Sequence, residues 1–450
     1  MASVPERTVL GHPRGLFLLF ATEAWERVQY YGMRAFLVLY LVDKVHGLGW
    51  NEARALTLYG WYTGLCYLST VVGGWAADRR LGQRRAVVIG GTLMILGQFI
   101  CALKQEPLLY VGGALLILGN GLFKANISTM VGQLYRPGDA RRDAGFTIFY
   151  MGINLGAGLG PFLCGWPAER IDWSLGFAAA GLGMAVGVGV FVLLRDRLLP
   201  KEVGAAPSER RAMASAASGA GASRPLTREE IDRVIVIVVV TLFVSIFWAG
   251  YEQGGGLMNL FTARSTDRYL LGYEIPTTWF QAVNSVFIFL LAPVFAAVWP
   301  RLALARREPS TGRKMAYALL TLAASFVLLF LAARRAEAVG KAGMLWMVGA
   351  YFLQTVGELM LSPVGLSMVT KLAPERYASA LLGVWFLSNA AGNKLAGSIG
   401  ALAEGQGDST VFAGIAIGSV VAGGLLFLLA PWLHRMTHGA EDTDPAVSMS

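Results

Sequence analysis

The feature that most constrains this chain is a series of apolar runs, each about twenty residues long, repeated from one end of the sequence to the other. A helix rises about 1.5 Å per residue, so a run of that length crosses roughly 30 Å of hydrocarbon. Twelve spans are predicted, at 15–42, 53–76, 86–103, 107–131, 144–167, 174–194, 231–261, 277–299, 315–333, 343–370, 377–403 and 411–433. Composition agrees. Of 450 residues 55% are apolar and 15% charged, against about 25% charged in a soluble domain. The net charge of +9 is then expected from basic residues in cytoplasmic loops, not from nucleic-acid binding. Cys66, Cys101 and Cys164 lie inside apolar runs without CxxC or Cys/His spacing, so neither a disulfide framework nor a zinc site is expected, and no cofactor. The opening MASVPERTVLGHPRG lacks the parts of a signal peptide, and the first run is expected to stay as an anchor. HExxH, GxSxG and P-loop motifs are absent, so an enzyme is not expected.

Loop charge sets the expected orientation. Loops after even-numbered spans carry Arg79, Arg80, Arg84 and Arg85, then Arg136, Arg141 and Arg142, then Arg301, Arg306, Arg307, Arg313 and Lys314. Those after odd-numbered spans are leaner, apart from the one with Arg334, Arg335 and Lys341. Both termini are therefore expected in the cytoplasm. A stretch rich in Ala, Ser, Gly and Arg separates spans six and seven and reads as a linker. It divides the chain into a six-helix bundle at 1–195, a cytoplasmic linker at 196–230, a second six-helix bundle at 231–434 and a tail at 435–450. Two six-helix halves are the layout of major facilitator transporters. GGWAADRRLGQRR, Gly73 to Arg85, resembles the G-x-x-x-D-R-x-G-[RK]-[RK] signature of that superfamily. The expected fold is all-α and polytopic, a major facilitator fold of twelve transmembrane helices.

Charges inside spans are costly and need a reason. In TEAWERVQYYGMRAF on the first span, Glu23, Glu26, Arg27, Tyr30 and Arg34 fall at i, i+3, i+4, i+7 and i+11. They project from one stripe of a helix, which must face protein or a water-filled cavity. Lys124 on span four, Glu252 on span seven and Glu358 on span ten supply further charges. Arg27, Lys124 and Glu358 fall near mid-span, whereas Arg34 and Glu252 share a depth roughly 10 Å toward the outer side, which makes them candidates for an ion pair between halves. His12, His46, His434 and His438 all lie in loops or tails, so a proton carried through the spans would ride on carboxylates. Burial opposes the charge of a carboxylate and a neighbouring cation favours it. Glu23 and Glu26 are thus expected to switch protonation as a substrate carboxylate competes for Arg27. Tyr30, Tyr67, Asn154, Asn284 and Trp385 add polar and aromatic groups, each of a kind that more often glues helices than holds ligand.

EAWERVQYYG, Glu23 to Gly32, resembles the E-x-x-E-R-F-x-Y-Y-G signature of the proton-dependent oligopeptide transporter family, departing at Val28. FYMGINLGAGLGP, Phe149 to Pro161, resembles its F-Y-x-x-I-N-x-G signature. GLFKANIS, YEQGG, NSVFIFLLAPVFA, GELMLSPVGLSMVTKLAP and GVWFLSNAAGNKLAG are similar to further segments of the family. The resemblance implies proton-coupled symport of di- and tripeptides into the cell by alternating access. The alternative cargo is another small zwitterion or anion, such as an amino acid, nitrate or a peptide-like metabolite. It implies that Glu23, Glu26, Arg27 and Glu252 couple protons, that Arg27 and Lys124 receive the peptide carboxylate, and that Asn154, Asn284 and Glu358 hold the amino end and backbone. Tyr30, Tyr67 and Trp385 would line pockets, and Arg34 with Glu252 would close an outer gate. The implied partners are small peptides, protons and membrane lipid, for a monomer in a bacterial inner membrane. Ala125, Ser285, Gly255, Gly256 and Gly60 depart from the family's usual residues, and the linker is too short for the two extra helices common in bacterial members.

Overall fold

Lipid offers no partner to a backbone N–H or C=O, so an apolar chain crossing it satisfies them internally, as helix. The structure, a computed structural model, describes residues 8–136, 139, 141–206, 226–374 and 377–440, the side chains of 378–380 apart. Residues 207–225 of the linker predicted at 196–230, and residues 441–450 of the tail predicted at 435–450, lie outside the described residues. The helices follow the twelve runs in order. They are α1 Arg14–Val42, α2 Glu52–Ala76, α3 Gln83–Cys101, α4 Glu106–Gln133, α5 Arg141–Gly160 with its continuation α6 Trp166–Arg170, and α7 Trp173–Leu198. After the linker come α8 Arg228–Tyr251 with its continuation α9 Leu257–Ser265, α10 Ala282–Leu304, α11 Thr311–Val339, α12 Leu345–Leu372, α13 Ala378–Leu402 and α14 Asp408–Met436. Among the described residues nine of these spans are long and apolar enough to cross a membrane by length and composition. α1 is outside that set because Glu23, Glu26, Arg27 and Arg34 interrupt it.

Two spans differ from their sequence reading. The ninth, read as 315–333, runs Thr311–Val339, its ends extended by turns bearing Arg313, Lys314, Arg334 and Arg335 that hydropathy alone does not count. The seventh, read as unbroken, is interrupted by a 3₁₀ turn at Glu252–Gly255 and by Gly256, at φ −111° and ψ −107°. Glycine costs a helix about 1 kcal/mol per residue relative to alanine, and Gly254, Gly255 and Gly256 stand in a row.

The described residues of Met1–Trp50 and Leu65–Gly221 form one compact unit, and those of Asn51–Gly64 and Ala222–Ser450 another. In the first, α1 packs against α5 and α7. The approach of α5 depends on Gly156, where a Cβ would lie 2.2 Å from Ala24 O and 2.5 Å from Arg27 Cβ. This is the small-residue packing that substitutes for hydrophobic force between membrane helices. After α7 the chain folds back on the unit. Gly204 O accepts from Arg84 N at 3.1 Å, Gly204 N donates to Gln133 Oε1 at 2.7 Å, and Leu199 and Val203 are buried.

In the second unit α11 packs against α12 and α14, and α8 against α13. The first turns of α2 belong here. Arg264 joins Glu52 at the start of α2 to Asp408 at the start of α14. At the far end of α9 the chain forms a short strand, Thr266–Asp267, which pairs in parallel with Ala342–Gly343 ahead of α12. A hairpin of Tyr269–Leu270 and Tyr273–Glu274 follows it.

Candidate functional site

The first unit buries a charge cluster built on α1. Arg27 is 1% exposed, with Nε 3.1 Å from Glu23 Oε1 and its guanidinium directly against the Glu26 carboxylate. Glu23 and Glu26 are equally enclosed. Buried charges survive only when paired and hydrogen-bonded, and α4 completes the pairing. Asn120 Nδ2 donates to Glu26 Oε1 at 3.3 Å. One turn on, Lys124 Nζ stands 4.0 Å from the centroid of the Tyr67 ring. The Arg27 guanidinium carbon lies 5.3 Å from the Tyr30 ring, so both cations rest on aromatic faces. Glu23 Oε2 meets no hydrogen-bond donor among the described residues. Two carboxylates against two cations leave this cluster neutral when all four are ionised. A single proton added to either carboxylate therefore leaves one unit of positive charge.

The stripe continues along α1. Arg34 is buried, its guanidinium carbon 5.6 Å from the Tyr31 ring. Asn154 is buried on α5, and its Nδ2 donates to Tyr150 O at 3.1 Å, one turn back.

The second unit holds a separate acidic site. Glu358 on α12 accepts at Oε2 from Tyr251 Oη at 2.7 Å and from Asn284 Nδ2 at 3.1 Å. Asn284 also donates to Thr355 Oγ1 at 2.9 Å, so α8, α10 and α12 fix one carboxylate between them. Glu252 is buried in the 3₁₀ turn where α8 breaks off. The Trp385 indole is 4% exposed and fills a notch on α12 at Gly365, where a Cβ would fall 1.9 Å from its Cη2. Lys394 donates to Ser398 Oγ at 2.8 Å and stands 4.7 Å from the Trp61 ring centroid.

The structure thus joins Glu23, Glu26, Arg27, Tyr30, Lys124 and Tyr67 in one cluster and Asn284 with Glu358 in another. Sequence reasoning missed Asn120, Tyr251 and Thr355. Each is a neutral polar group, yet each has a positional signal. Asn120 is four residues before Lys124, Thr355 three before Glu358, and Tyr251 adjoins Glu252, and the first two spacings put both residues on one helical face.

Comparison with known proteins follows the same lines. The model of the POT family matches residues 84–203 and 209–411. The chain is 35% identical over 501 residues to the peptide transporter YePEPT of Yersinia enterocolitica subsp. palearctica, with 98% of each covered. It is 33% identical over 482 residues to the di-/tripeptide transporter of Lactococcus lactis subsp. cremoris, covering 94% of this chain and 96% of that one. Among solved structures, the crystal structure of peptide transporter POT in complex with sulfate superposes with a TM-score of 0.87 at 36% identity, over 96% of this chain and 98% of that chain.

Proposed function

The chain belongs to the POT family, and on that premise we infer that it is a proton-coupled symporter of di- and tripeptides, a multi-pass membrane protein and not an enzyme. The observation that carries the reading is the quartet of Glu23, Glu26 and Arg27, all buried, with the half-buried Lys124 beside them. In this account a proton arrives on Glu23 or Glu26, the quartet gains one positive charge, and the peptide carboxylate is drawn to Arg27 and Lys124. Charge-assisted hydrogen bonds to that carboxylate then replace those the neutralised carboxyl gave up. Glu23 Oε2, which has no donor among the described residues, is the atom assigned to hold the proton. Glu358, oriented by Tyr251 and Asn284, receives the peptide ammonium, and Asn154 supports the backbone. Tyr30, Tyr67 and Trp385 line the side-chain pockets. Arg34 and Glu252 are assigned to the outer gate, Glu252 as a second proton site. Loop charge supports cytoplasmic termini, an inward proton gradient would drive import, and a monomer suffices for this mechanism.

The cargo is tested by competition. Uptake of labelled dialanine into proteoliposomes is expected to fall with unlabelled di- and tripeptides and to ignore free alanine and nitrate. Inhibition by alanine or nitrate alone would move the assignment to another zwitterion or anion.

A further inference from the structure

The hairpin between α9 and α10 presents an apolar tip that the transport site does not use. Tyr269 and Leu270 are more than half exposed, Tyr273 nearly half, and Leu271 fully. Leu270 and Tyr273 are cross-strand partners in the antiparallel register, so they share one face of the ribbon. The two-residue turn between them has φ +50° at Leu271 and +82° at Gly272, the positive pair of a type I′ turn. Asn, Asp or Gly suits the first of these positions, whereas leucine is strained in the left-handed region. The chain therefore accepts strain to place an apolar side chain at the tip.

The base of the hairpin is closed by hydrogen bonds and its charges are paired there. Arg268 donates to Glu274 Oε1 at 2.8 Å and to Ile275 O at 2.6 Å, closing the base. The strand before it ties that base to the segment ahead of α12 through Thr266↔Ala342 and Asp267↔Gly343. On the tip side, the Tyr273 ring lies 6.3 Å from that of Trp279, in the turn that starts α10. That span is the least buried of the nine apolar ones. Val286, Leu290 and Val294 form an exposed stripe on it at intervals of four, an apolar face suited to contact with lipid. Charges at the base, tyrosine and tryptophan in the middle and leucine at the tip are the order of groups met on entering a bilayer from water.

We propose that the Tyr269–Tyr273 hairpin is an interfacial anchor that lowers Leu270 and Leu271 into the lipid beside α10, at the end of the membrane where α9 stops. Its occupant is lipid and not a second protein chain. The apolar tip is four residues on a single ribbon, whereas a stable protein interface needs about 800 Å² from each partner.

Cys66, Cys101 and Cys164 are buried, so a thiol introduced at the tip can be labelled selectively, with the parent protein as labelling control. Leu271→Cys and, as a loop reference, Gln406→Cys are each labelled with bimane in the full-length protein and reconstituted into phosphatidylglycerol/phosphatidylethanolamine nanodiscs. The tip label is expected to emit to the blue of the reference, to lose most of its emission when doxyl-lipid is included, and to resist aqueous iodide. Iodide quenching equal to the reference, with no effect of doxyl-lipid, would overturn the anchor. Resistance to both quenchers, with disulfide cross-linking between two unlabelled copies of the Leu271→Cys variant, would overturn it in favour of a second copy. Dialanine uptake does not enter these readouts, so they stand or fall separately from the transport assignment.

Discussion

Arg27 is answered by two carboxylates on its own helix and lies beside a second cation on α4, so a proton on either carboxylate leaves the two cations one partner short and makes a substrate carboxylate competitive there. Glu26→Gln keeps the shape and the Asn120 contact but removes one carboxylate, so the cluster carries its extra positive charge without a proton and Glu23 stays ionised. Proton-driven dialanine accumulation is expected to be lost while exchange of labelled for unlabelled dialanine persists, and counterflow in proteoliposomes measures both. Accumulation that survives would remove Glu26 from coupling. Lys124→Ala takes away a charged partner for the carboxylate, a contact worth about 1.5–3 kcal/mol. The KM for dialanine is expected to rise by about ten- to a hundredfold on the scale of 1.4 kcal/mol per decade, read from initial uptake rates. The charged members of both clusters were legible in the sequence because charge inside an apolar run is conspicuous and its i, i+3, i+4 spacing fixes a face. Asn120, Tyr251 and Thr355 were not, since a neutral polar residue in a span serves helix packing as readily as a site.

At the level of elements, the position of Arg27 is held by the closeness of α5 to α1. Gly156→Leu forces a branched side chain into Ala24 O and Arg27 Cβ, and overpacking of this kind costs about 1–3 kcal/mol or more. A lowered melting temperature in detergent and reduced uptake per folded molecule are expected, and unchanged values of both would show that α5 does not position the cluster. The break after α8 was hidden for a related reason. Glycine barely changes hydropathy, so the run read as continuous across Gly254–Gly256 although the backbone there leaves the helix. The start of α7 carries a loop-side brace that titrates. Asp172 caps the helix by accepting from Ser174 N at 2.8 Å and accepts from Lys104 Nζ at 2.6 Å. Partial burial pushes its carboxyl up, but the bonds from Lys104 and Ser174 outweigh this and bring it down to about 2. A depressed carboxyl stabilises the fold above its unfolded value, about 3.9, and the contribution is lost as pH falls through the folded value. Asp172→Ala is expected to cost about 1 kcal/mol as a lost cap. The gap in thermal stability from the parent should be constant down to pH near 4 and close toward pH 2. A gap that widens on acidification would contradict the brace.

For the whole molecule, length, composition and the spacing of apolar runs prescribed twelve helices, because lipid leaves an apolar chain few alternatives. They did not prescribe how α2 is shared. Its first turns, Asn51–Gly64, group with the second unit and the remainder with the first, and only three-dimensional packing reveals this. Gly60 is one reason, since a Cβ there would lie 2.7 Å from Gly397 Cα, a proximity that neither glycine announces in sequence. The central claim is that this fold couples a proton to a small peptide. The most direct measurement is dialanine uptake into proteoliposomes with and without an imposed inward proton gradient. Accumulation above equilibrium is expected, and it should collapse when a protonophore is added. Uptake that proceeds equally without the gradient, or no uptake by protein shown to be folded and reconstituted, would contradict the claim.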